Sequence, residues 1–242
     1  MLHGARIAVV LPARDEEAWI REAVSCVPDF VDQVIVVDDA SRDRTAAVAA
    51  AAGDERLRVS THATCRGVGA AIVTGYRVAL AQGAQVTAVM AGDAQMDPRD
   101  LPRVVAPVAL DRADYVKGNR LSHPDVWSAM PLGRLVGTAT LAALTRRAAG
   151  LDALSDSQCG YTAVSTRALE ALDLDALWPR YGYPNDLIVS LAAAGMRIQE
   201  VPVRPVYRGE ASGLRIGHLA TILRVIVRSR QRASEARRSG IA

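Results

Sequence analysis

Aromatic side chains are scarce in this chain: one phenylalanine, three tryptophans and six tyrosines make up 4% of 242 residues. Ala, Val and Leu must therefore fill the core, and half of all residues are apolar, enough to bury a sizeable one. Cysteine is short as well. Cys26, Cys65 and Cys159 are far apart and form no CxxC pair. An odd, scattered set excludes a disulfide framework and points to a reducing compartment. No stretch approaches the roughly 20 apolar residues of a membrane-crossing helix, so a soluble or at most peripheral protein is expected. The opening MLHGARIAVVLPARDEE has a short apolar run followed by acids, unlike a signal peptide. Charge of one sign is not in excess either. A formal net charge of +3 is too mild to indicate a nucleic-acid binder. Repeats, low-complexity linkers and clean domain boundaries are absent, and the length suits one large domain or two small ones.

What is present is alternation. Continuous apolar runs of strand length occur at 6–11 (RIAVVL), 33–37 (QVIVV) and 86–90 (VTAVM), with shorter ones at 57–60 and 115–117. Between them lie helical patterns, notably 67–81 and 98–110. Strands without polar alternation, separated by helices, predict a mostly parallel sheet covered on both faces. Further helices are expected at 132–149, with Gly133 and Gly137 as weak points, and at 185–194 and 214–236. Residues 198–206 (IQEVPVRPV) carry two prolines, which suits an edge strand.

The chain is organised around 86–98, VTAVMAGDAQMDP. It reads as a buried strand ending in an acidic turn. In open α/β sheets ligands bind outside the carboxyl ends of the strands. Asp93, Gln95 and Asp97 recur every second residue, so an extended segment would turn them to one side. Clustered oxygens suit Mg²⁺ or Mn²⁺. The plainer alternative is a strand-to-helix turn in which Asp97 caps a helix that starts at Pro98.

Eight segments in order, VVLPARDEE, VVDDASRDRT, RGVGAAIVTGY, AGDAQMDP, KGNR, DSQCGYTAV, YPNDL and VYRGEASG, resemble the family 2 glycosyltransferases. Within that family they resemble the polyprenyl-phosphate sugar synthases of the dolichyl-phosphate mannose or glucose type. The resemblance implies a GT-A fold, with residues 1–213 as catalytic domain and 214–242 as a basic C-terminal helix and tail. It implies an inverting transfer from a UDP- or GDP-sugar to a polyprenyl phosphate, with a hydroxyl of a small molecule or glycan as the alternative acceptor. It assigns nucleotide contacts to Pro12, Arg14, Glu16, Asp39, Arg66, Gly67 and Asp93, with Gly69 letting the backbone approach. It assigns the metal, Mg²⁺ or Mn²⁺, to Asp93 and Gln95. The family often writes D-x-D-x-Q here, and Ala91 replaces the first acid. Acceptor contacts fall to Lys117, Arg120, Arg134 and Ser212. The catalytic set is Asp93, Arg120, Asp186 and Arg208. Asp186 is the general base that a hydroxyl acceptor would need and a phosphate would not. His62 and the other histidines receive no role.

Ile216, Leu219, Ile222, Leu223 and Ile226 recur at helical spacing among arginines. That pattern fits an interfacial helix or a last helix packed on the core. With a lipid-linked acceptor, weak contact with an anionic membrane is expected, and the cytoplasm or the inner face of the cell membrane is the expected location.

Overall fold

The structure is a computed structural model that describes residues 1–206 and 216–238. Its seven strands are β1 (Ile7–Ala13), β2 (Gln33–Asp38), β3 (Leu57–Thr61), β4 (Val86–Val89), β5 (Tyr115–Asn119), β6 (Thr162–Ser165) and β7 (Ile198–Pro202). They form one sheet in the order β3-β2-β1-β4-β6-β5-β7. Only β6 runs against its neighbours, β4 and β5. The remaining pairs are parallel, as continuous apolar strands require. Every residue of β2 and β4 is buried. The proline-bearing β7 lies at the sheet edge, where a missing N–H breaks no ladder.

Helices cover both faces: α1 (Ile20–Ser25), α2 (Thr45–Ala50), α3 (Val68–Ala81), α4 (Leu101–Ala109), α5 (Val126–Ala129), α6 (Leu132–Ala149), α7 (Thr166–Glu170), α8 (Tyr183–Ala193) and α9 (Ile216–Arg238). Alternate strand residues feed two cores. Val9, Leu11, Val34 and Val36 face one with Leu101 and Val105 of α4. Val10, Ile35 and Val37 face the other with Tyr76 of α3 and Leu187 of α8. Gly75 is small because an added Cβ would lie 2.3 Å from a Val10 methyl.

The chain winds from β1 out to β3, then returns to β4 on the other side of β1. That reversal opens a crevice at the carboxyl ends of β1 and β4, where such sheets bind ligands. Backbone strain gathers there. Asp15, Ala40 and Ala94, just beyond β1, β2 and β4, take φ values of 56°, 57° and 55°. Non-glycine residues rarely adopt these, and such strain concentrates at functional sites.

α9 is packed. Ile222, Val225 and Ile226 are buried, with Ile222 and Ile226 clustered on Leu141 of α6. Ser229 donates to Asp186 of α8 at 2.5 Å. Of the apolar stripe expected to meet a membrane, Ile222 and Ile226 are packed inside the protein. Leu223 is exposed. No described helix is long and apolar enough to cross a membrane.

Candidate functional site

A cavity of about 510 Å³ opens at the crevice, lined by Pro12, Arg14 and Glu16 after β1, Asp39 after β2, Gly67 and Ala71 at the start of α3, and Asp93 after β4. Arg180 and Tyr181 reach it from the segment before α8. Asp39 is nearly buried and clenched by the protein. Its oxygens accept from the backbone N–H groups of Arg66 at 2.8 Å and Gly67 at 2.7 Å, and His62 Nδ1 lies at 2.8 Å. His62 Nε2 in turn meets Thr74 at 2.9 Å. Burial alone would raise the Asp39 carboxyl, but these donors outweigh it and hold it below the usual range. Asp39 therefore anchors the 62–67 loop as well as lining the cavity.

Gly67 takes φ 104°, and a Cβ there would sit 2.5 Å from the Pro179 carbonyl oxygen. Gly69 is equally tight against Trp178 and Tyr183. Both glycines admit the 178–183 segment that brings in Arg180. Gly69, expected to let the nucleotide approach, is not among the residues lining this cavity. Arg66 contributes its backbone, while its exposed side chain is not among the residues lining this cavity.

A second, narrower cavity of about 90 Å³ adjoins the first through Ala91 and Asp93. Gln95, Arg120, Arg134, Tyr161 and Arg204 line it. Among its lining residues Asp93 is the only carboxylate. Gln95 donates its backbone N–H to Asp93 Oδ1 at 3.0 Å, and Ala94 between them is in the left-handed region. The turn is therefore bent rather than extended. It keeps Asp93 and Gln95 at the cavities and sends Asp97 elsewhere. Asp97 caps the next turn through Arg99 N–H at 2.9 Å and pairs with Arg99 and Arg204. The plainer reading of Asp97 holds, and the third possible ligand is committed to arginines.

Arg120 is oriented from beneath. Its Nε and NH2 donate to the two oxygens of Asp156 at 2.8 and 3.0 Å, and Asp156 is fully buried. Burial pushes that carboxyl up, yet Arg120 outweighs it and keeps it ionised. Lys117 is corrected as an acceptor contact. It is fully buried, its ammonium has no hydrogen-bond partner among the described residues, and it lines neither cavity. Burial lowers its pKa to about 8.

Asp186 is corrected too. Its oxygens accept from Trp178 N–H at 2.6 Å and from Ser229, and its side chain is fully buried. It lines neither cavity. Its work here is to fasten α9 and the 178–183 segment to α8. Arg208 and Ser212 lie outside the described residues.

Among the described residues no three His, Cys, Asp or Glu side chains converge to hold a metal. The donors at the turn are one carboxylate and one amide. That set fits an ion which keeps its waters and takes remaining ligands from a substrate's phosphates, as Mg²⁺ usually does.

The family model for glycosyl transferase family 2 matches residues 8–172. The chain belongs to that family. This family 2 glycosyltransferase is 29% identical over 216 residues to a UDP-N-acetylglucosamine–dolichyl-phosphate N-acetylglucosaminyltransferase of Methanococcus voltae, covering 83% of this chain and 86% of the relative. It is 33% identical over 208 residues to an undecaprenyl-phosphate mannosyltransferase of Micrococcus luteus, covering 84% of each. Its fold matches glucosyl-3-phosphoglycerate synthase of Mycobacterium tuberculosis, solved with Mn²⁺, UDP and phosphoglyceric acid. That match has a TM-score of 0.69 at 22% identity and covers 95% of this chain and 78% of that one. The same enzyme was also solved with Mg²⁺ and UDP.

Sequence reasoning missed His62, Arg180 and Tyr181. His62 carried no spacing signal, and Arg180 lies 115 residues from Cys65, whose carbonyl it meets. The tyrosine- and glycine-rich turn before α8 was the one available hint.

Proposed function

We propose that this enzyme transfers a sugar, with inversion, from a nucleoside-diphosphate sugar to a polyprenyl phosphate. The observation that carries the reading is the second cavity. Three arginines line it, and its only acid, Asp93, is the candidate metal ligand. A hydroxyl nucleophile would need a carboxylate there to take its proton, whereas a phosphate arrives ionised. The buried, hydrogen-bonded Asp186 supports the same choice. So do the names of the dolichyl- and undecaprenyl-phosphate relatives.

In this reading the nucleoside lies along Pro12, Arg14, Glu16 and Gly67, with Arg180 and Tyr181 across from them. The diphosphate reaches Asp93. A bound Mg²⁺ or Mn²⁺, held by Asp93 and Gln95, would offset the charge that develops on the leaving diphosphate. Arg120 and Arg134 hold the acceptor phosphate, Arg120 with its fork fixed by Asp156. The acceptor oxygen attacks the anomeric carbon from the side opposite the diphosphate, so no enzyme nucleophile is required. Release of nucleoside diphosphate with polyprenyl phosphate, and not with sugar alcohols, is the test.

A further inference from the structure

α6 is apolar on both sides. Thr138, Leu141, Ala142 and Thr145 face the protein. Using ~100° per residue, Leu132, Val136, Ala139, Ala143 and Arg147 fall together on the opposite side. From Leu135 to Thr145 the helix carries no charged side chain. Yet this outer side is open: Leu132 is 69% exposed and Val136 57%. Trp127 on α5, just ahead in the chain, is 76% exposed, the most exposed large apolar side chain among the described residues. Thr140 turns its hydroxyl back to the Val136 carbonyl at 2.8 Å, so its methyl group adds to the apolar surface. A Cβ added at Gly133 or Gly137 would meet nothing within 4 Å. Singly exposed apolar residues are ordinary, but a continuous uncharged helix face marks an interaction surface.

Two features identify what covers it. One is continuity: Arg134, on the inner side of the same helix, lines the cavity assigned to the acceptor phosphate. The other is charge. At the far end of α6, Arg147 joins Arg230 and Ser234 of α9 around a concavity of about 290 Å³ whose lining contains no acid. Arg146 precedes it on the helix. At the near end, Asp125, the acid closest in sequence to Trp127, lies 3.8 Å from Arg204. An apolar strip with an aromatic at one end and, at the other, arginines that form no ion pair among the described residues matches the boundary of an anionic bilayer.

We propose that the outer face of α5 and α6, with Trp127, Leu132 and Val136, lies against an anionic lipid bilayer, while Arg147 and Arg230 meet its headgroups. This rests on the lipid-acceptor reading and gives it a docking geometry. A phosphate held under Arg134 is then about one helix diameter, ~10 Å, from the bilayer side of α6. The proposed contact lies on α6, whose outer stripe is open, and not on the side of α9 where Ile222, Val225 and Ile226 are packed.

The test is flotation of the full chain with vesicles of equal parts phosphatidylcholine and phosphatidylglycerol at low salt. The triple variant Trp127→Ser, Leu132→Gln, Val136→Gln is expected to lose about tenfold or more in binding. Arg147→Gln and Arg230→Gln are each expected to lose ~5-fold. Leu223→Gln with Val227→Gln on the outer side of α9 should change little. Unchanged binding of the triple variant overturns the proposal. So does a sedimentation result in which wild type is a dimer and the triple variant a monomer, because the face then belongs to a second copy. Transfer to water-soluble geranyl phosphate without vesicles separates this surface from the reaction. If the triple variant floats like wild type while transfer to geranyl phosphate persists, the surface fails and the reaction stands. If no transfer to geranyl phosphate occurs while flotation still depends on Trp127, the reaction fails and the surface stands.

Discussion

Asp156 grips Arg120 with both oxygens, at 2.8 and 3.0 Å, from a fully buried position beneath the second cavity. The pair converts a flexible cation into a fixed fork. The same carboxylate also accepts the backbone N–H groups of Gln158 and Cys159, both at 3.1 Å, which ties the 156–159 loop to it. Asp156→Asn keeps the shape but leaves Arg120 and Lys117 without a buried counter-charge. Breaking such a pair costs about 3 kcal/mol. A lower denaturant midpoint and a raised KM for the acceptor are expected, with nucleoside-diphosphate affinity by calorimetry nearly unchanged. Loss of nucleotide affinity alone would move Arg120 from the acceptor to the donor.

Asp186 offers a contrast between a structural and a chemical acid. Its bonds to Trp178 N–H and Ser229 join three segments. Asp186→Asn should lower stability by about 1–3 kcal/mol, the range for disturbing a buried hydrogen-bonded group. Turnover of the folded variant should stay within a few-fold of wild type, whereas removing a general base costs about 10²-fold or more. A loss of that larger size in kcat, with the fold intact, would restore Asp186 as the base.

Lys117 sets a pH signature. Its pKa is lowered to about 8 by burial, against about 10.4 in an unfolded chain. Between these values the unfolded chain binds more protons, so this group makes stability rise with pH across that window. Its burial penalty is fully present below about pH 8 and is relieved as pH increases. Lys117→Met should therefore be at least as stable as wild type at neutral pH and should lack the rise toward pH 10. Denaturant titrations at both ends of the window check this. A Met variant that is much less stable at neutral pH would mean that Lys117 has a partner it needs.

Asp93 is the carboxylate at the junction of both cavities. Asp93→Ala should abolish transfer while leaving the denaturant midpoint unchanged within about 0.5 kcal/mol, as for a substitution away from the core. Chelation of divalent ions should match it in wild type. Near-normal turnover of the folded variant with Mg²⁺ or Mn²⁺ would remove Asp93 from the site.

Much of the scaffold was legible because its signals are local. Continuous apolar runs marked the parallel strands, and 132–149 was read as the helix the structure contains. The helix runs through Gly133 and Gly137, where an added Cβ would meet nothing within 4 Å. The acidic turn was found, but its conformation was not. The extended spacing of Asp93, Gln95 and Asp97 fails because Ala94 enters the left-handed region, which no alanine advertises. The burial of Asp186 and Lys117 was not legible for one reason: burial is a tertiary property. Each lies in a motif shared with the family, yet each side chain is enclosed by segments distant in sequence, α9 for Asp186 and β6 with its preceding loop for Lys117. The C-terminal stripe was visible at the right period, but periodicity cannot say whether a stripe meets protein or lipid.

The central claim is that the nucleophile is a phosphate oxygen, held by arginines and needing no base. The most direct measurement compares two acceptors with the same prenyl chain, one a monophosphate and the other the free alcohol, at equal concentration with nucleoside-diphosphate sugar and Mg²⁺. The phosphate should yield a sugar phosphodiester and a matching release of nucleoside diphosphate, and the alcohol should yield neither. Equal or faster transfer to the free alcohol would contradict the account.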